Sequence, residues 1–271
     1  MRKAILTSFL LVSVFLTSSS AFGLHSLDKY INSTNLASPG LLIMNPADGT
    51  VIAKNSPDSL RIPASVLKLV STAAALHFVG ADKTYVTSIY STDKSNTYVL
   101  KGSLDPWLTS NLTLSKKNGQ KFLPSLITRA NESNSKKITI YYSGMYEKDI
   151  DNLALNLKSK KIRATFKRVE SAEAVELAKD EIASLTSPPL GEMVKFAILW
   201  SDNTLADRLG KAAARKSGYE TNTKGLTQTF KQALDELGVD SAGLKTYDGS
   251  GLSKSNRVSA KTIVELLMKM K

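Results

Sequence analysis

Pro63-Ala64-Ser65-Val66-Leu67-Lys68-Leu69 opens an apolar stretch that runs from Ala64 to Val79 and is closed by Gly80. Proline ahead of the first turn suits a helix start, and glycine after the last apolar residue is a helix stop. Val66, Leu69, Val70, Ala73 and Ala74 fall on one face, while Leu67 and Leu76 make the other side apolar too. A helix apolar nearly all round belongs inside a core. Two polar side chains, Ser65 and Lys68, interrupt its first turn, three residues apart and so on one face. The helix N-terminus there favours an oxyanion and disfavours an ammonium. Burial pushes the lysine the same way, toward a neutral amine able to take the serine proton. A capping serine beside a solvated lysine has the same spacing; the apolar surroundings argue against it.

Upstream, Leu41 to Met44 and Val51 to Ala53 flank Asn45-Pro46-Ala47-Asp48-Gly49, the pattern of a β-hairpin. Met1, Arg2 and Lys3, the apolar run Ala4 to Leu16 and the small residues up to Gly23 have the layout of a secretory signal peptide over 1–23, so an exported protein is expected, in the periplasm or on the extracellular side of the envelope. Downstream, Tyr85 to Tyr90 and Thr97 to Leu100 read as strands. A more polar region, 103–181, reads as a small inserted α/β unit with a strand at Ile138 to Tyr142 and an amphipathic segment at Ile150 to Leu157. It divides the main domain into a first part, 24–102, and a second part, 182–271. Helical patterns return at Met193 to Trp200, Leu205 to Leu209 and Leu226 to Leu237, and Ser259 is placed to cap a last helix.

The chain has 271 residues and no cysteine, which excludes disulfides and thiol catalysis. With two histidines, His25 after the leader and His77 on the apolar helix, a Ser-His-Asp triad or a zinc site is not expected. A hydrolase built on this chain needs lysine or a carboxylate as its base. The net charge of +12 is carried by scattered lysines that read first as a solvated surface, with anionic cell-wall polymers as a further expected partner. No aromatic-and-basic motif for nucleic acid is present.

Ser201-Asp202-Asn203 lies between two apolar helical pieces and by itself reads as a helix cap. Beside Ser65 and Lys68 it gains weight, because S-x-x-K with S-D-N is the pairing found in β-lactamases and penicillin-binding proteins. Thr186-Ser187-Pro188-Pro189-Leu190, Asp248-Gly249-Ser250-Gly251-Leu252-Ser253 and Asn256-Arg257-Val258-Ser259 follow in order, and Gly102 to Pro106 forms a glycine-rich turn. Together these motifs resemble the serine D-alanyl-D-alanine carboxypeptidase/endopeptidase family, the low-molecular-mass penicillin-binding proteins, from about residue 40 onward. The resemblance implies an α+β, β-lactamase/transpeptidase-like fold with an antiparallel sheet flanked by helices and the Ser65 helix beside it. It implies acyl transfer on peptidoglycan stem peptides, with β-lactams as covalent inhibitors and without cofactor or metal. Ser65 would be the nucleophile, Lys68 the base, Ser201 the proton relay and Asn203 the residue that orients the substrate; Asp248 and Ser250 receive no role. Two departures stand out. The insert is smaller than is usual in the family, and the family's Lys-Thr-Gly strand is expected beyond residue 271, so the chain reads as cut short of it. An inactive wall-binding homologue or a gene fragment is the alternative expectation.

Overall fold

The structure, a computed structural model, describes residues 39–270; the expected signal peptide, 1–23, lies outside the described residues. In chain order the elements are strands β1 (Leu41–Met44) and β2 (Val51–Asn55), a 3-10 turn at Ala64–Val66, helix α1 (Leu67–Val79), strands β3 (Val86–Ser91), β4 (Thr97–Lys101) and β5 (Leu108–Thr109), helix α2 (Leu112–Asn118), strand β6 (Lys121–Phe122), helix α3 (Pro124–Ala130), strand β7 (Lys137–Ser143), helix α4 (Glu147–Ser159), strand β8 (Arg163–Arg168), helix α5 (Ser171–Leu177), strand β9 (Glu181–Thr186), and helices α6 (Leu190–Leu199), α7 (Asn203–Lys216), α8 (Thr223–Glu236) and α9 (Ala260–Lys269).

One core surrounds α1. Leu67, Val70, Ala73, Ala74 and Ala75 are buried against Leu190 and Met193 of α6, Leu209 and Ala213 of α7, Phe230 of α8 and Leu266 of α9. Small residues set the close approach of α7: a β-carbon added at Gly210 would lie 2.9 Å from the Phe230 ring and 3.5 Å from Ser71. The hairpin β1–β2 is antiparallel, with Leu41 opposite Asn55, and α9 packs on it. Ser259 caps α9 by accepting the Thr262 N–H at 3.0 Å, as its position before the apolar pattern predicts. The Ser187-Pro188-Pro189-Leu190 run is a brace. Ser187 Oγ accepts the Tyr85 N–H at 2.9 Å, and the N–H groups of Leu190 and Gly191 donate to the carbonyls of Lys83 and Ala81 at 2.8 Å each, which pins the start of α6 to the loop after α1.

A second core lies in a five-stranded sheet of order β8-β7-β4-β3-β9 with its helices. This sheet is mixed: β3 runs antiparallel to β4 and β9, while β4, β7 and β8 are mutually parallel neighbours. The unit is therefore wider than the expected insert 103–181. Strands β3, β4 and β9, drawn from the sequence as part of the main domain or its junction, complete the sheet; Ile89, Leu100 and Ala183 are buried with Ile138, Ile140 and Leu153. The physical reason is that β7 and β8, the insert's strands in this sheet, make only one pair, and backbone groups are satisfied by adding neighbours.

Candidate active site

Ser65 stands in the 3-10 turn before α1, between Ala64 at φ 46° and the helix proper. Lys68 is one turn on and only 1% exposed. Its ammonium has three donors, and all three are used: Nζ donates to Ser65 Oγ at 3.0 Å, Asn203 Oδ1 at 2.7 Å and the Ser250 carbonyl at 2.9 Å. None of these acceptors is charged. Burial accordingly holds the Lys68 pKa below the ordinary lysine value, against the opposing fields of Asp248 and Asp202.

The Ser201-Asp202-Asn203 run performs two tasks at once. Asp202 caps α7 by accepting the Leu205 N–H at 2.9 Å, which is the structural reading of the motif. Ser201, one residue earlier, is held at φ 51° and donates from Oγ to Ser65 Oγ at 3.0 Å. A left-handed backbone at a serine is uncommon and costs about 1–3 kcal/mol, so the surrounding packing must impose it. All four residues singled out in the sequence, Ser65, Lys68, Ser201 and Asn203, thus meet in one hydrogen-bonded group.

Asp248, which had no role from the sequence, organises the loop that supplies the third Lys68 acceptor. Its Oδ1 accepts the N–H groups of Ser250 at 2.8 Å and Gly251 at 2.6 Å and the Ser250 hydroxyl at 2.8 Å; its Oδ2 accepts the Ser253 N–H at 2.8 Å and Asn256 Nδ2 at 3.2 Å. Burial alone would raise its pKa, but these bonds, led by those of Ser250, Ser253 and Asn256, outweigh burial and bring it down to about 2. The glycines explain the rest of the run. Gly251 sits at φ +89° with its added β-carbon only 1.7 Å from the Ala64 carbonyl oxygen, and Gly249 would meet the Ala206 carbonyl at 2.8 Å. Any side chain at either place would push the loop away from Ser65 and from α7.

Beside this group lies a cleft of about 730 Å³ between α7, the loop 247–252 and the start of α4, with Asn203, Asp248 and Ser250 on one wall and Tyr146 and Lys148 on another. Behind it a buried cluster joins the two units. Arg208 of α7 donates to Asp149 Oδ1 of α4 at 2.6 Å, and its guanidinium lies 4.3 Å from the Tyr146 ring centroid. Sequence reading missed this pair, since nothing in a polar helix face marks one arginine as buried. His77, on the apolar helix, sits exposed near the end of α1, where Nε2 meets Glu236 Oε2 at 2.5 Å.

A helix-borne Ser-x-x-Lys, a second serine on a strained loop and an asparagine on the lysine, set in this α+β frame, define the β-lactamase/transpeptidase-like class of penicillin-binding folds. The chain matches the D-Ala-D-Ala carboxypeptidase 3 (S13) family over residues 24–166 and 130–271, and it belongs to that family. It is 41% identical over 87 residues to a D-alanyl-D-alanine carboxypeptidase of Actinomadura sp. (strain R39), covering 32% of this chain and 16% of that protein. It is 33% identical over 86 residues to carboxypeptidase DacB of Mycolicibacterium smegmatis, covering 32% of this chain and 19% of the relative. These matches therefore span less than a fifth of either relative. Among solved structures, penicillin binding protein 4 (dacB) from Haemophilus influenzae aligns with a TM-score of 0.64 at 16% identity, over 85% of this chain and 74% of that one. Bd3459, a peptidoglycan endopeptidase from Bdellovibrio bacteriovorus, aligns at 0.56 with 19% identity, over 82% and 65%. At these identities the structural likeness carries the fold.

Proposed function

We propose that this protein is a serine-type D-Ala-D-Ala carboxypeptidase, with endopeptidase action on the same bond type, that works on peptidoglycan stem peptides and is acylated by β-lactams. The observation that carries the reading is Ser65 Oγ held between Lys68 Nζ and Ser201 Oγ, 3.0 Å from each. Family membership supports the substrate class.

In the proposed reaction Lys68, as its neutral amine, takes the proton from Ser65 while Oγ attacks the carbonyl carbon of the penultimate D-Ala. The tetrahedral carbon then expels the terminal amine, which receives a proton passed from Lys68 through Ser201. The carbonyl re-forms as a serine ester. Water, deprotonated by the same lysine, cleaves that ester and frees Ser65. With a β-lactam the ring C–N bond opens in the leaving-group step, the amine stays tethered, and the ester persists. Asn203 does two things: its Oδ1 holds Lys68, and its amide nitrogen is left to meet the substrate backbone. The cleft beside it accommodates the stem peptide.

Intact-mass spectrometry of the full-length protein after treatment with penicillin tests this. One adduct, lost in Ser65→Ala, is the expected result; an adduct undiminished in Ser65→Ala would overturn the nucleophile. Absence of any adduct in a folded protein would favour a wall-binding role without catalysis. The site of action follows from the leader: the mature protein should be recovered outside the cytoplasm without residues 1 to about 23, and N-terminal sequencing that begins at Met1 would contradict export.

A further inference from the structure

Helix α6 ends at Leu199, and the residue between it and Ser201 is Trp200, which is 70% exposed. A bare indole beside a concave surface is an unusual use of the largest apolar side chain, and it marks a contact surface more often than a packing one. Trp200 borders a cavity of about 480 Å³ between α6 and the turn that joins α2 to β6, within the size range of small-ligand sites. The floor is prebuilt. Phe196 meets the buried Trp107 edge-on at 5.0 Å and 89°, and Trp200 tilts over Phe196 at 6.2 Å and 40°. Trp107 is fixed from below by its Nε1, which donates to the Gly119 carbonyl at 3.0 Å. The rim is polar: Asn118, Lys121, Glu192 and Lys195 surround the aromatic step.

An aromatic face ringed by hydrogen-bonding groups is complementary to a pyranose. Such a ring presents C–H bonds on its flat face, which suit the negative face of an indole, and hydroxyl and acetamido groups around its edge. Two lysines against one glutamate leave the rim net positive, which matches a polymer whose attached peptides carry carboxylates. A purely apolar occupant would have to strip water from all four rim side chains without replacing their bonds.

We propose that this cavity binds an N-acetylated amino sugar of the glycan strand, so that the chain grips its polymer at a point next in sequence to the second catalytic serine. The inference rests on the peptidoglycan reading above and adds the glycan as a recognised part of the substrate.

The probe is N,N′,N″,N‴-tetraacetylchitotetraose, a glycan without stem peptide, titrated into the full-length protein by calorimetry. Saturable binding is expected, weakened about tenfold or more in Trp200→Ala and largely kept in Trp200→Tyr, which retains an aromatic face. Trp107 is the other of the two tryptophans, so its buried emission in Trp200→Ala reports that the fold is intact. Ser65→Ala should bind the sugar as the parent does. Equal binding by Trp200→Ala and parent, or no binding by any form that penicillin still acylates, overturns the sugar site and leaves the acyl-transfer reading standing. Displacement of the sugar by N-acetyl-Lys-D-Ala-D-Ala would reassign the cavity to peptide and also overturn it. Sugar binding without acylation would sink the catalytic reading alone.

Discussion

Lys68 and Arg208 are both long cations that are almost fully buried, at 1% and 6% exposure, and the protein treats them in opposite ways. Lys68 is surrounded by neutral acceptors, and the acid of the loop, Asp248, spends its oxygens on the N–H groups and side chains of its own loop. Arg208 meets a carboxylate directly at 2.6 Å and stacks on Tyr146. A lysine desolvated without an ion pair is pushed toward its neutral form, and that is the form a base requires. An arginine cannot be deprotonated in a protein, and paired with Asp149 it is a tie between two units. What separates the two buried cations is the charge of their acceptors rather than the depth of their burial.

The contrast predicts its own largest effect. Lys68→Ala should slow penicillin acylation of Ser65 by about 10²–10⁴-fold, the usual contribution of a general base. Lys68→Arg should not rescue it, because a guanidinium fills the space without accepting a proton. In the parent, acylation should rise with pH toward the Lys68 pKa and level off at a pH below the ordinary lysine value of 10.5. Stopped-flow acylation across pH checks both points. A rate that keeps rising to pH 10.5 and beyond would show that the site does not hold Lys68 ready as the base.

Arg208→Ala should act on stability instead. It strands the Asp149 carboxylate, 5% exposed, and should cost about 3–5 kcal/mol in urea denaturation. Replacing the pair with Arg208→Met and Asp149→Leu together should restore much of that loss, since two apolar side chains need no partners. If the double variant is as unstable as the single one, the cluster does more than join the units. A smaller effect is expected at the loop that separates Asp248 from Lys68. Gly251→Ala must adopt φ +89° and clear a carbonyl 1.7 Å away. The left-handed backbone alone costs about 1–3 kcal/mol, and the clash with the Ala64 carbonyl forces the loop to move, which should appear as slower acylation because the loop withdraws the Ser250 carbonyl.

The hydrogen-bonded group of Ser65, Lys68, Ser201 and Asn203 was legible in the sequence and the tie was not, for a physical reason. Ser65 and Lys68 share a helix turn, and Ser201 and Asn203 share a cap, so short spacing alone places them in pairs. Arg208 and Asp149 are 59 residues apart on two helices, and their burial exists only once both units are assembled. Asp248 was visible as part of a motif, yet its partners are mostly backbone N–H groups of its own loop, which leave no trace in residue types. The sheet was half read. Strands β3, β4 and β7 bury apolar side chains such as Ile89, Leu100, Ile138 and Ile140, whereas β8, Arg-Ala-Thr-Phe-Lys-Arg, turns only Ala164 and Phe166 inward at an edge. Period-two patterning marks a strand and does not say which sheet it joins. That is why the second unit was drawn too narrow.

The last effect is pH-dependent and concerns Asp105, a second acid near the tie. It is 0% exposed; its Oδ1 accepts the Trp107 N–H at 2.8 Å and its Oδ2 has no partner among the described residues. Burial pushes its pKa up from 3.8 to about 7. The Asp149 charge adds to the rise, and the Trp107 N–H, Arg208 and Lys121 oppose it. The folded chain therefore keeps this proton at pH values where the unfolded chain has lost it. Between about pH 4 and 7 the native state binds more protons than the unfolded state, so the contribution of Asp105 to stability falls as pH rises through that window and is constant above it. Asp105→Asn keeps an acceptor for Trp107 and cannot ionise. The variant and the parent should be close in stability near pH 4. At pH 8 the variant should be the more stable by up to about 4 kcal/mol, since the rise from 3.8 to about 7 is roughly three tenfold changes in proton affinity, each worth roughly 1.4 kcal/mol. Urea denaturation of both proteins at a series of pH values gives the difference directly. A parent that gains on the variant as pH rises would mean that Asp105 is ionised and shares Arg208 with Asp149. The tie would then hold two carboxylates on one guanidinium, and its distance from the carboxylate-free Lys68 site would be greater still.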